Sequence, residues 1–222
     1  MTMDAESTGP DAQAALLAEL QHRVRNTLAT TRMIARRSAE LSENLEDYAA
    51  HLDGRLAALA RVQNIIIQNA AAGVDLGHLV TDELARARAY QDGRTRVEGP
   101  DLRLHLRAAE PLAMALHELM TNAAKYGALS VPEGRVAVTW TLTPDGARER
   151  LSLTWTETGG PEVVPPVRKG FGSRLIERQL PLEFDGSAVI DFAPAGLVCR
   201  IEVPLTALGW HGQDIVTGRP AS

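Results

Sequence analysis

Apolar and small residues recur three and four apart through Leu17, Leu20, Val24, Leu28, Thr31, Ile34 and Ala35. That period predicts an amphipathic helix. The same spacing returns in Leu45, Ala49, Leu52, Leu56, Leu59, Val62 and Ile66. Between the two runs lies a polar stretch, Ser38 to Asn44, with Ser42 as the expected N-cap of the second helix. From about 11 to 72 the chain carries no proline and only one glycine, Gly54, so nothing interrupts either helix. Two long helices joined by a short turn form an antiparallel hairpin. A hairpin alone cannot bury that much apolar surface, and pairing two copies into a four-helix bundle predicts a homodimer.

From Val74 onward the period changes. A helix is expected over 76–90, then a segment punctuated by Gly93, Gly99 and Pro100, then a short alternating strand through Leu102, Leu104 and Leu106. Helical spacing returns over 108–126. Two stretches of strand type follow, 135–142 and 149–156, with Pro144-Asp145-Gly146 as the turn between them. A loop rich in glycine and proline, 158–170, leads to a short helix, 171–179, and to two final strands over 187–192 and 197–203. Helices mixed with a mainly antiparallel sheet predict an α+β sandwich. The resulting division is a polar N-terminus (1–12), a helical hairpin (13–72), a mixed domain (73–207) and a loose polar tail (208–222).

Composition narrows the classes of function. The 222 residues are 45% hydrophobic and 23% charged, ordinary for a globular protein. No apolar run reaches the length needed to cross a bilayer, and MTMDAESTGP lacks the basic and apolar regions of a secretory leader. A cytoplasmic location is expected, without membrane insertion. The single cysteine, Cys199, can form no intrachain disulfide and reads as a small buried hydrophobe. Net charge is −5 and aromatics are 4%, so both the basic excess and the stacking surface that nucleic-acid binding uses are missing.

Three segments carry candidate chemistry. In His22-Arg23-Val24-Arg25-Asn26, the apolar stripe through Leu17, Leu20, Val24 and Leu28 leaves His22 on nearly the opposite face, with Asn26 beside it four residues on. An imidazole with one unprotonated nitrogen can attack a phosphoryl group. The other histidines (His51, His78, His105, His117, His211) lack metal-ligand spacing, which argues against zinc. In His117-Glu118-Leu119-Met120-Thr121-Asn122-Ala123-Ala124-Lys125-Tyr126-Gly127, residues Glu118, Asn122 and Lys125 fall at i, i+4 and i+7. They form a polar row opposite an apolar face of Leu112, Leu116, Leu119 and Ala123. An amide oxygen suits Mg²⁺, a lysine suits phosphate, and a carboxylate can orient or deprotonate a nucleophile. Third come Trp155-Thr156-Glu157-Thr158-Gly159-Gly160-Pro161 and Gly170-Phe171-Gly172-Ser173. A carboxylate at a strand end can accept a hydrogen bond from an amino group such as that of adenine, and glycines permit close approach to a nucleotide.

Together these motifs resemble the HWE family of sensor histidine kinases, within the group sharing the gyrase/Hsp90-type (Bergerat) ATP-binding fold. The family is named for a histidine in its N box, here His117, and a Trp-x-Glu in its G1 box, here Trp155-Thr156-Glu157. The resemblance spans about residues 14–205 and implies an enzyme that binds ATP and Mg²⁺ and phosphorylates its own His22. It implies Asn122 as the Mg²⁺ ligand, Lys125 on phosphate and Tyr126 lining the nucleotide. Glu157 would read the adenine amino group, and Gly159, Gly160, Gly170 and Gly172 would frame a lid. Glu118 would be the base or orienting carboxylate, since Arg23 follows His22 where other histidine kinases carry an acid. His117 is assigned no role.

The partner implied is the receiver domain of a response regulator, whose aspartate would take the phosphoryl group. Too few residues precede the first helix for an input module. The chain is thus expected either to answer to a separate sensor or regulatory protein, or to be the transmitter part of a longer one. Two alternatives remain: a phosphotransfer protein whose ATP-binding domain has degenerated, and an ATPase of the gyrase/Hsp90 group. The intact Asn122, Lys125, Glu157 and glycines oppose the first; the hairpin bearing His22 opposes the second.

Overall fold

The computed structural model describes residues 10–42, 44–68, 73–85, 93–145, 148–166 and 170–209. The chain divides into two compact units, Met1–Leu56 and Ala57–Ser222.

The first unit holds helix α1 (Pro10–Leu41) and the first half of α2 (Leu45–Gln68). Ile34 and Ser38 on α1 and Arg55 on α2 are buried. The Arg55 guanidinium donates to Ser38 Oγ at 2.7 Å, so a polar contact and not only apolar packing joins the two helices. The cap of α2 is Asn44, not Ser42: Asn44 Oδ1 accepts the Asp47 N–H at 2.8 Å. Ser42 Oγ instead donates to the Ser38 carbonyl and finishes the last turn of α1. The helix starts two residues later than expected from Ser42, and the side chain that reaches the third helical N–H is the one just before Leu45. Glu46 and Asp47 in the first turn suit the positive end of the helix.

In the second unit, five strands pair in the order β2 (Thr95–Glu98), β4 (Arg135–Asp145), β5 (Arg148–Thr158), β7 (Gly196–Pro204) and β6 (Ser187–Ala193). All neighbours are antiparallel except β2 and β4, which run parallel. β2 was not expected, because its alternation of Thr95 and Val97 with Arg96 and Glu98 runs for only four residues. A two-stranded ribbon, β1 (Val74–Asp75) with β3 (Arg103–Leu104), lies apart from this sheet. One face of the large sheet is buried through Val136, Val138, Trp140, Leu151, Leu153, Trp155, Cys199, Ile201 and Val203. The residues between them are half-buried or exposed, the alternation of a sheet covered on one side.

Besides the second half of α2, this unit holds the helices α3 (Leu76–Ala85), α4 (Leu106–Lys125), α5 (Phe171–Arg174) and α6 (Leu180–Phe184). The remainder of the helix expected over 76–90 falls outside the described residues. Leu106 is not the end of a strand but the first residue of α4, because the preceding His105 caps that helix through Nδ1 and the Arg107 N–H. Pro144 and Asp145 continue β4, and the rest of the expected turn lies outside the described residues. The helix expected over 171–179 runs on to Phe184. Pro181 would ordinarily end it, since it has no N–H to donate. Here a π turn at Leu175–Gln179 precedes it, with the Leu180 N–H reaching the Leu175 carbonyl, and the wider turn carries the helix through the proline.

Candidate functional site

The segment from Glu118 to Tyr126 lies in the last two turns of α4 and its cap. Leu112, Leu116, Leu119 and Ala123 are buried as the apolar face. The polar row grades from interior to surface: Glu118 is buried, while Asn122 and Lys125 are exposed. Tyr126 caps α4, its N–H bonded to the Asn122 carbonyl, and its ring is 72% exposed.

The chain then turns sharply at Gly127 and aims the Ala128 N–H at the end of β5, where Glu157 Oε2 accepts it at 2.8 Å. Any side chain at Gly127 would collide with that carboxylate oxygen. The other oxygen, Oε1, accepts the Trp155 indole N–H at 3.1 Å. Trp155 and Glu157 are two apart on a strand and so share a face, and both are buried. The Trp-x-Glu spacing thus places an indole donor beside a buried carboxylate. Burial pushes the Glu157 carboxyl above its ordinary range; the bonds from Ala128 and Trp155 offset this only in part. With one donor on each oxygen, Glu157 keeps lone pairs for a further donor.

The glycine loop closes on the same place. Gly159 sits at φ +67°, a conformation that side chains resist. Gly160 lies so close to the Ala128 backbone that a Cβ would come within 2.7 Å of its Cα. Gly170 is the N-cap of α5, and Gly172, in its first turn, lies against the Glu118 side chain. The structure thus brings Gly127, Gly160 and Glu157 together at the turn after α4 and Gly172 against Glu118, while Asn122, Lys125 and Tyr126 lie exposed at the end of α4.

His117 faces elsewhere. Its Nδ1 lies 3.2 Å from Glu83 Oε2 on α3, and the other Glu83 oxygen accepts from Arg61 on α2 at 3.1 Å. Burial alone would raise the Glu83 carboxyl, but the hydrogen bond and charge of His117, and then Arg61, outweigh it and hold it below its ordinary value. Sequence reasoning missed Arg61, Glu83 and the Ala128 N–H, whose partners lie 22 to 34 residues away. The Trp155–Glu157 bond left a signal, the two-residue spacing on a strand. His22 lies on α1, but the side chains of His22, Arg23 and Asn26 fall outside the described residues. Among the described residues no three His, Cys, Asp or Glu cluster as a metal site, and no helix is long and apolar enough to cross a membrane. Cys199 is buried and its thiol is pushed up to about 12 by burial and then by Glu177, the state of an inert core residue.

A sheet covered on one face by helices, as here, is similar in fold to the catalytic domains of histidine kinases. The histidine kinase domain of the Erythrobacter litoralis EL346 blue-light activated histidine kinase superposes with a TM-score of 0.54 at 20% identity, covering 80% of this chain and 97% of that one. A longer EL346 chain gives 0.56 at 20% identity, covering 93% and 66%. Residues 19–101 match the HWE histidine kinase family. The blue-light-activated histidine kinases of Brucella ovis and Brucella abortus are each 32% identical over 197 residues, 88% of this chain. The chain spans 40% of the length of these relatives. Over these stretches the chain is similar to the HWE histidine kinase family.

Proposed function

We propose that this chain is an ATP-dependent protein-histidine kinase that phosphorylates His22 and passes the phosphoryl group to the receiver domain of a response regulator. The observation that supports this reading is that the chain just beyond Asn122 and Lys125, at the end of α4, closes on the buried Glu157 and on Gly160.

The donor set fits an adenine nucleotide. Glu157, already holding two N–H donors, accepts the exocyclic amino group of adenine. Lys125 contacts phosphate, and Tyr126 lines the nucleotide. Gly159, Gly160, Gly170 and Gly172 frame a lid. A single amide oxygen, that of Asn122, suits a Mg²⁺ ion that draws its other ligands from phosphates and water. Mg²⁺, when bound, neutralises phosphate charge. In the reaction an imidazole nitrogen of His22 attacks the γ-phosphorus, and the bond from phosphorus to the ADP oxygen breaks. Phosphohistidine and ADP result, and the imidazole proton leaves. Glu118 is the carboxylate that orients the imidazole or takes that proton.

The hairpin is proposed to dimerise as a four-helix bundle. Leu17, Val24 and Leu28 on α1 are more than half exposed in the single chain, an apolar row that a second copy would cover. The protein is proposed to act in the cytoplasm, its input coming from a separate sensor or from further sequence. The test is labelling with γ-³²P ATP. The wild type takes up acid-labile label and His22→Ala takes up none while still binding nucleotide. Normal labelling of that variant would overturn the assignment of His22. A wild type that binds no nucleotide would favour a phosphotransfer protein instead.

A further inference from the structure

Two polar links tie α4 to the part of α2 that belongs to the second unit. Gln63 on α2 donates directly to Glu110 on α4 at 3.2 Å. Two residues earlier on α2, Arg61 reaches Glu83 at 3.1 Å, and Glu83 takes His117 of α4 on its other oxygen at 3.2 Å. Glu83 is nearly enclosed, with 5% of its side chain exposed, against 16% for His117 and 27% for Arg61. The cluster is poorly built for stability: Arg61 Nε is buried without a hydrogen-bond partner, which costs free energy that an apolar contact would avoid. What it supplies is direction. His117 immediately precedes Glu118, so their side chains leave α4 about 100° apart. One is held by α3 and the other lies against Gly172. Together they set the roll of α4 about its axis.

We propose that Arg61, Glu83 and His117 form a positioning device that fixes the roll of α4, and with it the aim of Glu118 and Asn122, relative to the tail of α2. Its catalytic consequence rests on the kinase reading above; its structural consequence does not. Side-chain tips lie about 6 Å from a helix axis, so a roll of about 10° displaces Glu118 by about 1 Å. A misplacement of that size can lower a rate by about 100-fold. Adenine recognition rests on Glu157, and the cluster touches neither Glu157 nor the loop glycines, so most of the loss belongs in turnover.

The experiment compares wild type with His117→Ala, His117→Asn, Glu83→Gln and Arg61→Ala. Autophosphorylation rate and apparent KM for ATP are measured together with hydrogen exchange over 57–68. In His117→Ala and Glu83→Gln the rate falls about 10- to 100-fold, while KM changes by less than about threefold. Asparagine keeps a donor near the position of Nδ1, so His117→Asn recovers most of the rate. Arg61→Ala combined with His117→Ala costs no more than the worse single change, because both act through Glu83. Amides of 57–68 exchange faster in the alanine and glutamine variants, with β4 and β5 unchanged. An unchanged rate in His117→Ala, a KM rising in step with the loss, or no recovery in His117→Asn overturns the catalytic consequence. Unaltered exchange over 57–68 overturns the device itself. If wild type takes no label at all, the kinase reading fails and the exchange result alone decides the proposal.

Discussion

Glu83 and Glu157 are both buried carboxylates, yet their surroundings drive them in opposite directions. Glu83 faces a guanidinium and an imidazole and is held below its ordinary value; Glu157 faces only neutral N–H donors and is pushed above it. The signs follow from linkage. Ionised Glu83 contributes stability that is complete above its unfolded value of 4.5 and is lost as pH falls through its lower folded value. Protonated Glu157 contributes stability that is complete below 4.5 and is lost as pH rises through its higher folded value. Urea midpoints from acid to neutral pH test this. The stability gap between wild type and Glu83→Gln should widen as pH rises toward neutrality, and that between wild type and Glu157→Gln should narrow. At one pH, Trp155→Phe should cost about 2–3 kcal/mol, from the hydrogen bond lost to the carboxylate and the space left by the smaller ring.

At the scale of elements, α2 belongs to both compact units. Its start depends on Asn44, so Asn44→Ala should destabilise the hairpin by about 1 kcal/mol. Ser42→Ala, which removes a bond within the last turn of α1, should cost less. Circular dichroism during urea unfolding separates the two, and an equal loss would contradict the reassigned cap. Ser38→Ala removes a fully buried acceptor of Arg55 and should cost about 1–3 kcal/mol. The gradation along α4, from buried Glu118 to exposed Lys125, has a similar origin. A helix inclined to the surface of a unit submerges one end of a polar row and lifts the other.

The whole molecule carries the predictions about partners. With its apolar row exposed on α1, the chain should scatter light as a dimer at micromolar concentration, and Leu28→Asp should return it to a monomer. A wild type that stays monomeric would remove the bundle. Transfer to a receiver should use the surface of α1 near His22, where Arg25 is exposed. Arg25→Glu should therefore slow loss of label to receivers and leave ATP affinity unchanged, since that residue is remote in sequence from the nucleotide motifs. Equal transfer by wild type and variant would remove this account of the docking face.

Periodicity alone determined the two long helices, the strands β4, β5, β6 and β7 and the apolar face of α4, because burial of one face repeats locally every two or 3.6 residues. Motif spacing likewise brought Glu118, Asn122 and Lys125 onto one helix and Trp155 with Glu157 onto one strand face. What pairs across long stretches of chain was decided only by the tertiary structure. β2 is too short to declare itself until it lies beside β4. The Ala128 N–H becomes part of the site only because Gly127 lets the chain close on Glu157. His117, whose role nothing in its neighbouring residues reveals, acquires one from Glu83, 34 residues away, and through it from Arg61. A hydrogen bond depends on where two atoms meet in space, and the pattern of either segment alone holds no record of that meeting.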